Sequence, residues 1–307
     1  MNDALNGGGM FRSVADGFAK LLEAIEPNPK EVDARASHRR SIEQALDTSF
    51  ANFNRLAVIG SHTRETAIRG YSDVDYLAVL GKADVMHGGK VVQSSTVLAN
   101  VRRALGSRFK STEIRNDGPS VVVNFKGGEG AVDVVPGYWS GTTGQDGYPV
   151  FAIPDGVGGW LLTSPQRHSK YLVEEGAASR YKLKGTIRLL KAWKYARTPS
   201  VPLLSFHLEL LLASAGTCKG IKTYGACLLD AFRLLRDRGG SALNDPLGIS
   251  GRIPIVYTAH QAEALVKHAA HAAFHADAAL SAEQSGLIDE AFRQWRIVFN
   301  GWFPSRR

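Results

Sequence analysis

The feature that most constrains this chain is a pair of aspartates at the start of an apolar run. Asp73 and Asp75 open the segment DVDYLAVL, whose remaining residues have the composition of a buried strand. Because alternate residues of a strand point to the same side, the two carboxylates would share one face, with Cα atoms roughly 6.5 Å apart. Two such carboxylates repel each other and lose hydration when they are buried. The pair therefore predicts a positively charged ligand at the start of this strand.

A third aspartate interrupts another apolar segment further along the chain. Asp133 lies in AVDVVP (131–136), which is predicted to be a strand. Carboxylate oxygens select Mg²⁺ or Mn²⁺, and a third carboxylate allows two ions to be held about 3.5–4 Å apart. The alternative is that each aspartate caps a turn or pairs with a basic side chain. Three aspartates on two predicted strands favour the metal site, so we expect Asp73, Asp75 and Asp133 to be catalytic and to hold two Mg²⁺ or Mn²⁺ ions.

A Gly-Ser pair precedes the aspartates and follows a short apolar run. Gly60 and Ser61 come directly after a predicted strand at 56–59 and before a predicted short helix at 63–68. Glycine lets a backbone approach a ligand closely, and the unpaired N–H groups at a helix start suit a phosphate. The chain has neither a P-loop nor a dinucleotide-binding G-x-G-x-x-G after a strand. We expect Gly60 and Ser61 to contact a nucleotide.

The order of the predicted elements indicates an α+β chain with two lobes. Helical and strand-like segments are mixed in the first half, whereas helical periodicity dominates after 165. Glycine and proline are dense between 136 and 160, which predicts an irregular loop there. We expect residues 1–165, with N-terminal helices, to form a mixed α/β lobe and residues 166–307 to form a helical lobe. The other predicted helices are 11–25, 31–50, 91–105, 166–176, 178–196, 203–214, 222–238, 258–278 and 282–300, and the other predicted strands are 74–80, 112–116, 120–125 and 131–135.

The predicted helix at 178–196 carries a row of basic residues. Lys184, Arg188 and Lys191 lie at i, i+4 and i+7, which places them on one helical face beside an apolar stripe. Such a row can bind a triphosphate or can be a solvated basic surface. Both interpretations remain open for Lys184 and Arg188, and we keep Arg188 as a candidate nucleotide-binding residue.

Several of these segments resemble a known family when they are taken together. GS at 60–61, DVD at 73–75 and the aspartate of VDVVP resemble the nucleotidyltransferase superfamily that includes DNA polymerase β. The longer segment GSHTRETAIRGYSDVDYLAVL is similar to the bacterial cGAS-like CD-NTase (SMODS) family of CBASS anti-phage systems. In the second half, LTSPQRHSKYL (162–172), IRLLKAWKYAR (187–197) and LLSFHLELLL (203–212) resemble the helical domain of that family and of oligoadenylate synthases. In one departure, Glu65 stands before Thr66 where the family often has glycine, which concerns the shape of the loop and leaves the metal ligands intact.

The resemblance implies a fold and an activity. The fold would be a polymerase-β-like nucleotidyltransferase catalytic lobe with a twisted mixed sheet, joined to an oligoadenylate-synthase-like helical lobe, with the site in the cleft between them. The activity would be synthesis of cyclic di- or trinucleotides, or short linear ones, from NTPs such as ATP, with release of pyrophosphate. Lys191 matches the phosphate-binding lysine of the family, Ser205 a serine that contacts the triphosphate, and Phe206 an aromatic position that can stack on a base. The product would act on a cyclic-nucleotide-sensing effector.

The overall charge leaves two other functions open. A net charge of +8 suits polyanions, so the chain could be a nucleic-acid-sensing module with an inactive site or a synthase activated by nucleic acid. It could also be another nucleotidyltransferase that modifies a small molecule, a protein or a tRNA end.

Since no apolar run reaches the roughly 18 residues of a membrane span, we expect a cytoplasmic protein without a membrane partner. His268, His271 and His275 share one side of a predicted helix without a cysteine or carboxylate cluster, so we expect surface or interface histidines there rather than a metal site.

Overall fold

The computed structural model describes residues 11–71, 73–125, 131–144, 146–180 and 182–306. Helices and strands alternate in the first half, and most of the second half is helical. The helices are α1 (Val14–Ala24), α2 (Pro29–Ser49), α3 (Gly60–Thr63), α4 (Ser94–Arg108), α5 (Pro165–Ala178), α6 (Lys182–Tyr195), α7 (Ser205–Ser214), α8 (Tyr224–Asp237), α9 (Ala259–Gln284) and α10 (Ile288–Val298), with a short 3₁₀ helix at Lys82–Val85. The strands are β1 (Phe53–Ile59), β2 (Val74–Leu80), β3 (Met86–His87), β4 (Lys90–Val91), β5 (Glu113–Asp117), β6 (Ser120–Asn124), β7 (Ala131–Thr143), β8 (Pro149–Pro154), β9 (Trp160–Thr163), β10 (Leu243–Asn244) and β11 (Arg252–Ile253).

A seven-stranded mixed sheet forms the centre of the first lobe. Its order is β1-β2-β7-β6-β5, and β8 and β9 extend from the second part of β7. The strands β2 and β7 run parallel, whereas the other pairs in this sheet are antiparallel. This confirms the predicted α+β class with a mixed sheet.

The expected irregular loop at 136–160 is wrong, because three strands occupy much of it. The strand β7 continues through Gly137 to Thr143, and β8 and β9 follow. A Cβ on Gly137 would lie 2.9 Å from a methyl carbon of Ile153 and 3.0 Å from one of Leu77, so the glycine allows close packing inside the strand. Gly137 therefore marks tight packing inside a strand rather than a break.

The two faces of the sheet are covered differently. Val74 and Tyr76 of β2 pack with α2 and α4 in a large apolar cluster that also contains Leu46 and Val101. The alternate positions Leu77 and Val79 belong to a small cluster on the other face. Asp75 and Leu77 are two residues apart in β2, so their side chains point to the same face of the sheet. This is the face that α2 and α4 leave uncovered.

The helical lobe has its own core, and α1 belongs to it. Val14, Phe18 and Leu21 of α1 are buried in the same cluster as Trp295 and Phe303 near the C-terminal end. The rings of Phe18 and Trp295 meet edge to face with centroids 4.9 Å apart. The division of the chain at 165 and 166 stays a prediction, but α1 packs with the helical half.

Candidate active site

Two of the three predicted aspartates are direct neighbours in the sheet. Asp75 of β2 and Asp133 of β7 are register partners in the parallel pair. Adjacent strands lie about 4.8 Å apart and paired residues point to the same face, so these two carboxylates lie side by side. Asp73 stands one residue before β2 and is exposed at the entrance to the pair.

Burial and neighbouring negative charges raise the pKa of both partners of the pair. Burial is the largest cause that raises the pKa of Asp75, and the negative charge of Asp73 raises it further. The positive charges of Arg64 and Lys191 act in the opposite direction, and the resulting pKa is about 6. Burial, followed by the charges of Asp75 and Asp73, raises the pKa of Asp133 to about 7. The local electrostatics therefore favour added positive charge at this point of the sheet.

Asp133 also has an unused ligand atom. Its Oδ2 accepts a hydrogen bond from the Ser120 hydroxyl at 3.3 Å. Its Oδ1 is buried and has no hydrogen-bond partner among the residues that the structure describes. An unpartnered buried polar atom costs about 1–3 kcal/mol, and a cation bound there would remove that cost. The donor set of Asp75 and Asp133 thus fits a hard divalent cation.

The side chains do not form a complete ligand cluster as they stand. Within the described ranges, no three histidine, cysteine, aspartate or glutamate side chains converge closely enough to hold one ion. The structure therefore supports a carboxylate pair, and the inclusion of Asp73 and the presence of two ions remain proposals.

Gly60 fixes the loop that faces the carboxylates. Its φ is +74°, and a Cβ at this position would overlap the Asp75 carboxylate. The expected helix at 63–68 is wrong, because the only helical turn there is α3 and Glu65 ends it with a φ of 54°. The Ser61 carbonyl accepts the Thr66 N–H at 2.9 Å and closes this loop. Gly60 thus lies against Asp75, and Ser61 lies in the same short turn.

A buried ion network connects this loop to the helical lobe. Glu209 of α7 is fully buried and accepts from Arg64 at 2.5 Å, from Lys191 at 2.6 Å and from Thr66 at 2.7 Å. Burial alone would raise the pKa of Glu209, but the charges of Arg64 and Lys191 lower it to about 2. The carboxylate therefore stays ionised and holds the segment between α3 and β2 on the helical lobe.

Lys191 donates all three of its N–H groups within this network. Its Nζ contacts the Thr66 carbonyl at 3.0 Å, the Thr66 hydroxyl at 3.3 Å and the Glu209 carboxylate, and the residue is 2% exposed. In this structure the ammonium group positions the loop beside Asp75. A direct contact between Lys191 and a phosphate stays a prediction.

The end of α6 brings an aromatic group close to the aspartates. The Tyr195 hydroxyl forms a hydrogen bond with Ser205, and burial followed by the charge of Asp73 raises the pKa of Tyr195. The Tyr71 ring stacks on Tyr195 with centroids 4.9 Å apart and is 40% exposed. No pattern in the sequence singles out either tyrosine, although Tyr71 stands only two residues before the first aspartate.

The remaining candidates are not all near the carboxylate pair. The half-buried Phe206 ring lies edge-on to His168 at 5.2 Å and below the Arg64 guanidinium at 5.6 Å. Arg188 donates to the Leu22 carbonyl of α1 at 3.1 Å, so the structure places it against that helix. Lys184 forms an ion pair with Glu65 in the loop.

Another lysine of α6 lies beside the start of α7. The Lys194 ammonium donates to the Leu203 carbonyl at 2.8 Å and lies 4.6 Å from the centre of the Tyr195 ring. Burial, followed by the charge of Lys191, lowers the pKa of Lys194 to about 8. The sequence offered no signal that separates Lys194 from the other basic residues of this helix.

Comparison with known proteins identifies similar sequences and structures. The Second Messenger Oligonucleotide or Dinucleotide Synthetase domain matches residues 12–175, which is more than half of the chain. A probable cyclic nucleotide synthase of Bacillus cereus is 24% identical over 96% of this chain and 87% of its own length. A cyclic AMP-AMP-AMP synthase of an Acinetobacter strain is 24% identical over 94% of this chain and 84% of its own length.

The structure of E. coli CdnC with ATP is similar to this chain, with a TM-score of 0.71 and 22% identity over 95% of this chain and 99% of CdnC. This likeness confirms the two-lobed arrangement of a mixed-sheet lobe and a helical lobe. Within the described residues, no helix combines the length and apolarity needed to cross a membrane.

Proposed function

The chain belongs to the Second Messenger Oligonucleotide or Dinucleotide Synthetase family, and from this premise we propose how its site joins NTPs into cyclic di- or trinucleotides or short linear products. The chain is a nucleotidyltransferase. The observation that supports the catalytic assignment is the Asp75–Asp133 pair, with its raised pKa values and the unpartnered Asp133 oxygen.

The proposed reaction is an attack by a ribose hydroxyl of one NTP on the α-phosphate of another. The new bond joins the hydroxyl oxygen to the α-phosphorus, and the bond from the α-phosphorus to the pyrophosphate leaving group breaks. Catalysis of such transfers depends mainly on positioning and on neutralisation of charge. Asp133 has two proposed roles here, as a ligand and as an acceptor of the hydroxyl proton.

Asp73, Asp75 and Asp133 would hold the divalent ions, Mg²⁺ or Mn²⁺. Such ions, when bound, would neutralise charge on the triphosphate and lower the pKa of the attacking hydroxyl. Gly60 leaves space beside Asp75 that any other residue would fill. The Glu209 network holds this loop in place, so Arg64 and Lys191 contribute through positioning.

Other parts of the site would bind the nucleotides. Ser61 and Ser205 would donate hydrogen bonds to phosphate oxygens, and Phe206 would contact a base. Because a relative is named a cyclic AMP-AMP-AMP synthase and the structure of CdnC contains ATP, we propose ATP as one substrate. The product would signal to a cyclic-nucleotide-sensing effector in anti-phage defence inside the cytoplasm.

The proposal is tested by product analysis. The purified protein is incubated with all four NTPs and Mg²⁺, treated with alkaline phosphatase and examined by mass spectrometry. We expect phosphatase-resistant oligonucleotides from the wild type, and none from Asp75→Asn or in the presence of EDTA. Asp47→Asn makes the same charge change at an exposed position of α2 and should retain activity.

Two results would count against the proposal. If only phosphatase-sensitive products or a single transferred nucleotide were found, the chain would be another kind of nucleotidyltransferase. If Asp75→Asn made product at the rate of Asp47→Asn, the assignment of the carboxylate pair would be wrong.

A further inference from the structure

A cavity lined by basic side chains lies in the helical lobe, outside the proposed active site. It has a volume of about 610 Å³ and lies between the chain after α6 and the helices α9 and α10. Among the described residues that line it, none is acidic. Six carry the chemistry of the cavity: Arg197, Lys267, His268, His271, Arg293 and Arg296.

Arg197 is a fixed cation that has no acidic partner among the residues that the structure describes. Its two terminal nitrogens donate to the carbonyl oxygens of Trp193 and Val298, both at 2.8 Å. These carbonyls lie in the last turns of α6 and α10 and carry partial negative charge, so they orient the guanidinium and offset only part of its full charge. Burial lowers the pKa of Arg197, and no nearby acid opposes that effect among the described residues. The guanidinium is therefore preorganised for an anion.

The other basic residues add to the positive charge. Arg293 pairs with Glu290 at 2.6 Å, but no acidic side chain of the described part of the chain forms an ion pair with Lys267 or Arg296. Together with Arg197, these two residues leave three cations without an acidic partner around one cavity. A ligand that bears several negative charges would complement them.

The histidines indicate an anion rather than a metal ion. Burial, followed by the charge of Arg197, lowers the pKa of His268, and burial followed by the charge of His275 lowers that of His271. Neutral imidazoles can still donate one hydrogen bond each. A cation at this position would meet three positive charges and no carboxylate, so metal binding is disfavoured.

We propose that this cavity binds a small metabolite that carries a di- or triphosphate group, at a second site separate from the carboxylate pair. Its volume lies in the range of about 300–1,000 Å³ that is typical of small-ligand pockets. A guanidinium group can donate two parallel hydrogen bonds to two oxygens of one phosphate. Arg197 and Arg296 supply two guanidinium groups to this cavity. Ile297 contributes an apolar wall for the rest of the ligand. This site does not depend on the proposed catalytic function.

The test measures binding of inorganic pyrophosphate to the full chain in EDTA, which suppresses metal-dependent binding at the active site. Calorimetry compares the wild type with Lys267→Ala/Arg296→Ala. The control Arg103→Ala/Arg236→Ala makes the same charge change at exposed positions of α4 and α8. We expect binding to weaken at least tenfold in the cavity variant and to stay within twofold in the control.

Two further measurements complete the test. In the wild type, pyrophosphate should move the NMR resonances of the two cavity histidines and raise their pKa, a result that does not depend on how a variant folds. ATP should compete with pyrophosphate, whereas vesicles with phosphoinositide headgroups and a short DNA duplex should bind less tightly. Unmoved histidine resonances, equal weakening in both double variants, or tighter binding of vesicles or duplex would each overturn the proposal.

Discussion

Replacement of Asp133 by asparagine should stabilise the metal-free protein at neutral pH. In the folded state the pKa of Asp133 is raised from 3.8 to about 7. The folded state therefore holds a proton between about pH 4 and 7 that the unfolded chain has released, so stability falls as the pH rises through this window. A rise in pKa of about 3 units at about 1.4 kcal/mol per unit corresponds to roughly 4 kcal/mol of lost stability when Asp133 is ionised. Because the titration of Asp133 is coupled to that of Asp75, we expect the substitution to raise the free energy of unfolding by about 2–4 kcal/mol.

The assay is urea unfolding in EDTA at several pH values from 4.5 to 7.5. Asp133→Asn should exceed the wild type in free energy of unfolding at pH 7.5, and the difference should shrink towards pH 4.5. The control Asp47→Asn should follow the wild type throughout. A variant that is no more stable than the wild type at pH 7.5 would refute the reasoning about the buried carboxylate pair.

Magnesium should stabilise the wild type more than it stabilises Asp133→Asn. A cation that binds only the folded wild type adds stability that grows with the logarithm of the ratio of its concentration to its dissociation constant. We expect a rise in the unfolding temperature of the wild type with Mg²⁺ and a much smaller rise for Asp133→Asn. Equal stabilisation of both proteins would mean that the ion binds elsewhere.

Two further predictions concern the surroundings of the pair. Gly60→Ala should reduce turnover at least tenfold, because its methyl group overlaps the Asp75 carboxylate, whereas Gly106→Ala, which meets no atom within 4 Å, should retain turnover. Glu209→Gln leaves two buried cations without their counter-charge and should lower the free energy of unfolding by about 3–5 kcal/mol. Glu23→Gln removes an exposed ion pair and should change it by less than about 1 kcal/mol, so equal losses in these two variants would refute the buried-network account.

The sequence predicts local elements well where an apolar run has clear ends. The strand at 74–80 was predicted with the bounds that the structure shows. The adjacency of Asp75 and Asp133 could not be read in this way, because it depends on a parallel pairing between distant segments. The continuation of β7 past Pro136 also depends on packing, since only the neighbours of Gly137 show why a glycine stands inside a strand.

In the candidate site, too, the sequence pattern indicates some residues, whereas their contacts are visible only in the folded structure. The sequence alone points to the acidic residues, because a charge inside an apolar strand needs an explanation. The hydrogen bonds of Lys191 to Thr66 could not be predicted, because helical periodicity shows which face a residue occupies and not which loop covers it. Tyr195 was missed for the same reason, since its relation to Ser205 depends on how α6 meets α7.

The most direct test of the central claim is a crystal structure with Mn²⁺ and a non-hydrolysable ATP analogue, examined by anomalous scattering. We predict an anomalous peak within about 2–2.3 Å of Asp133 Oδ1 and of a carboxylate oxygen of Asp75, with the triphosphate on the open side of the ion. A peak that contacts neither aspartate, with the nucleotide bound elsewhere, would contradict the account.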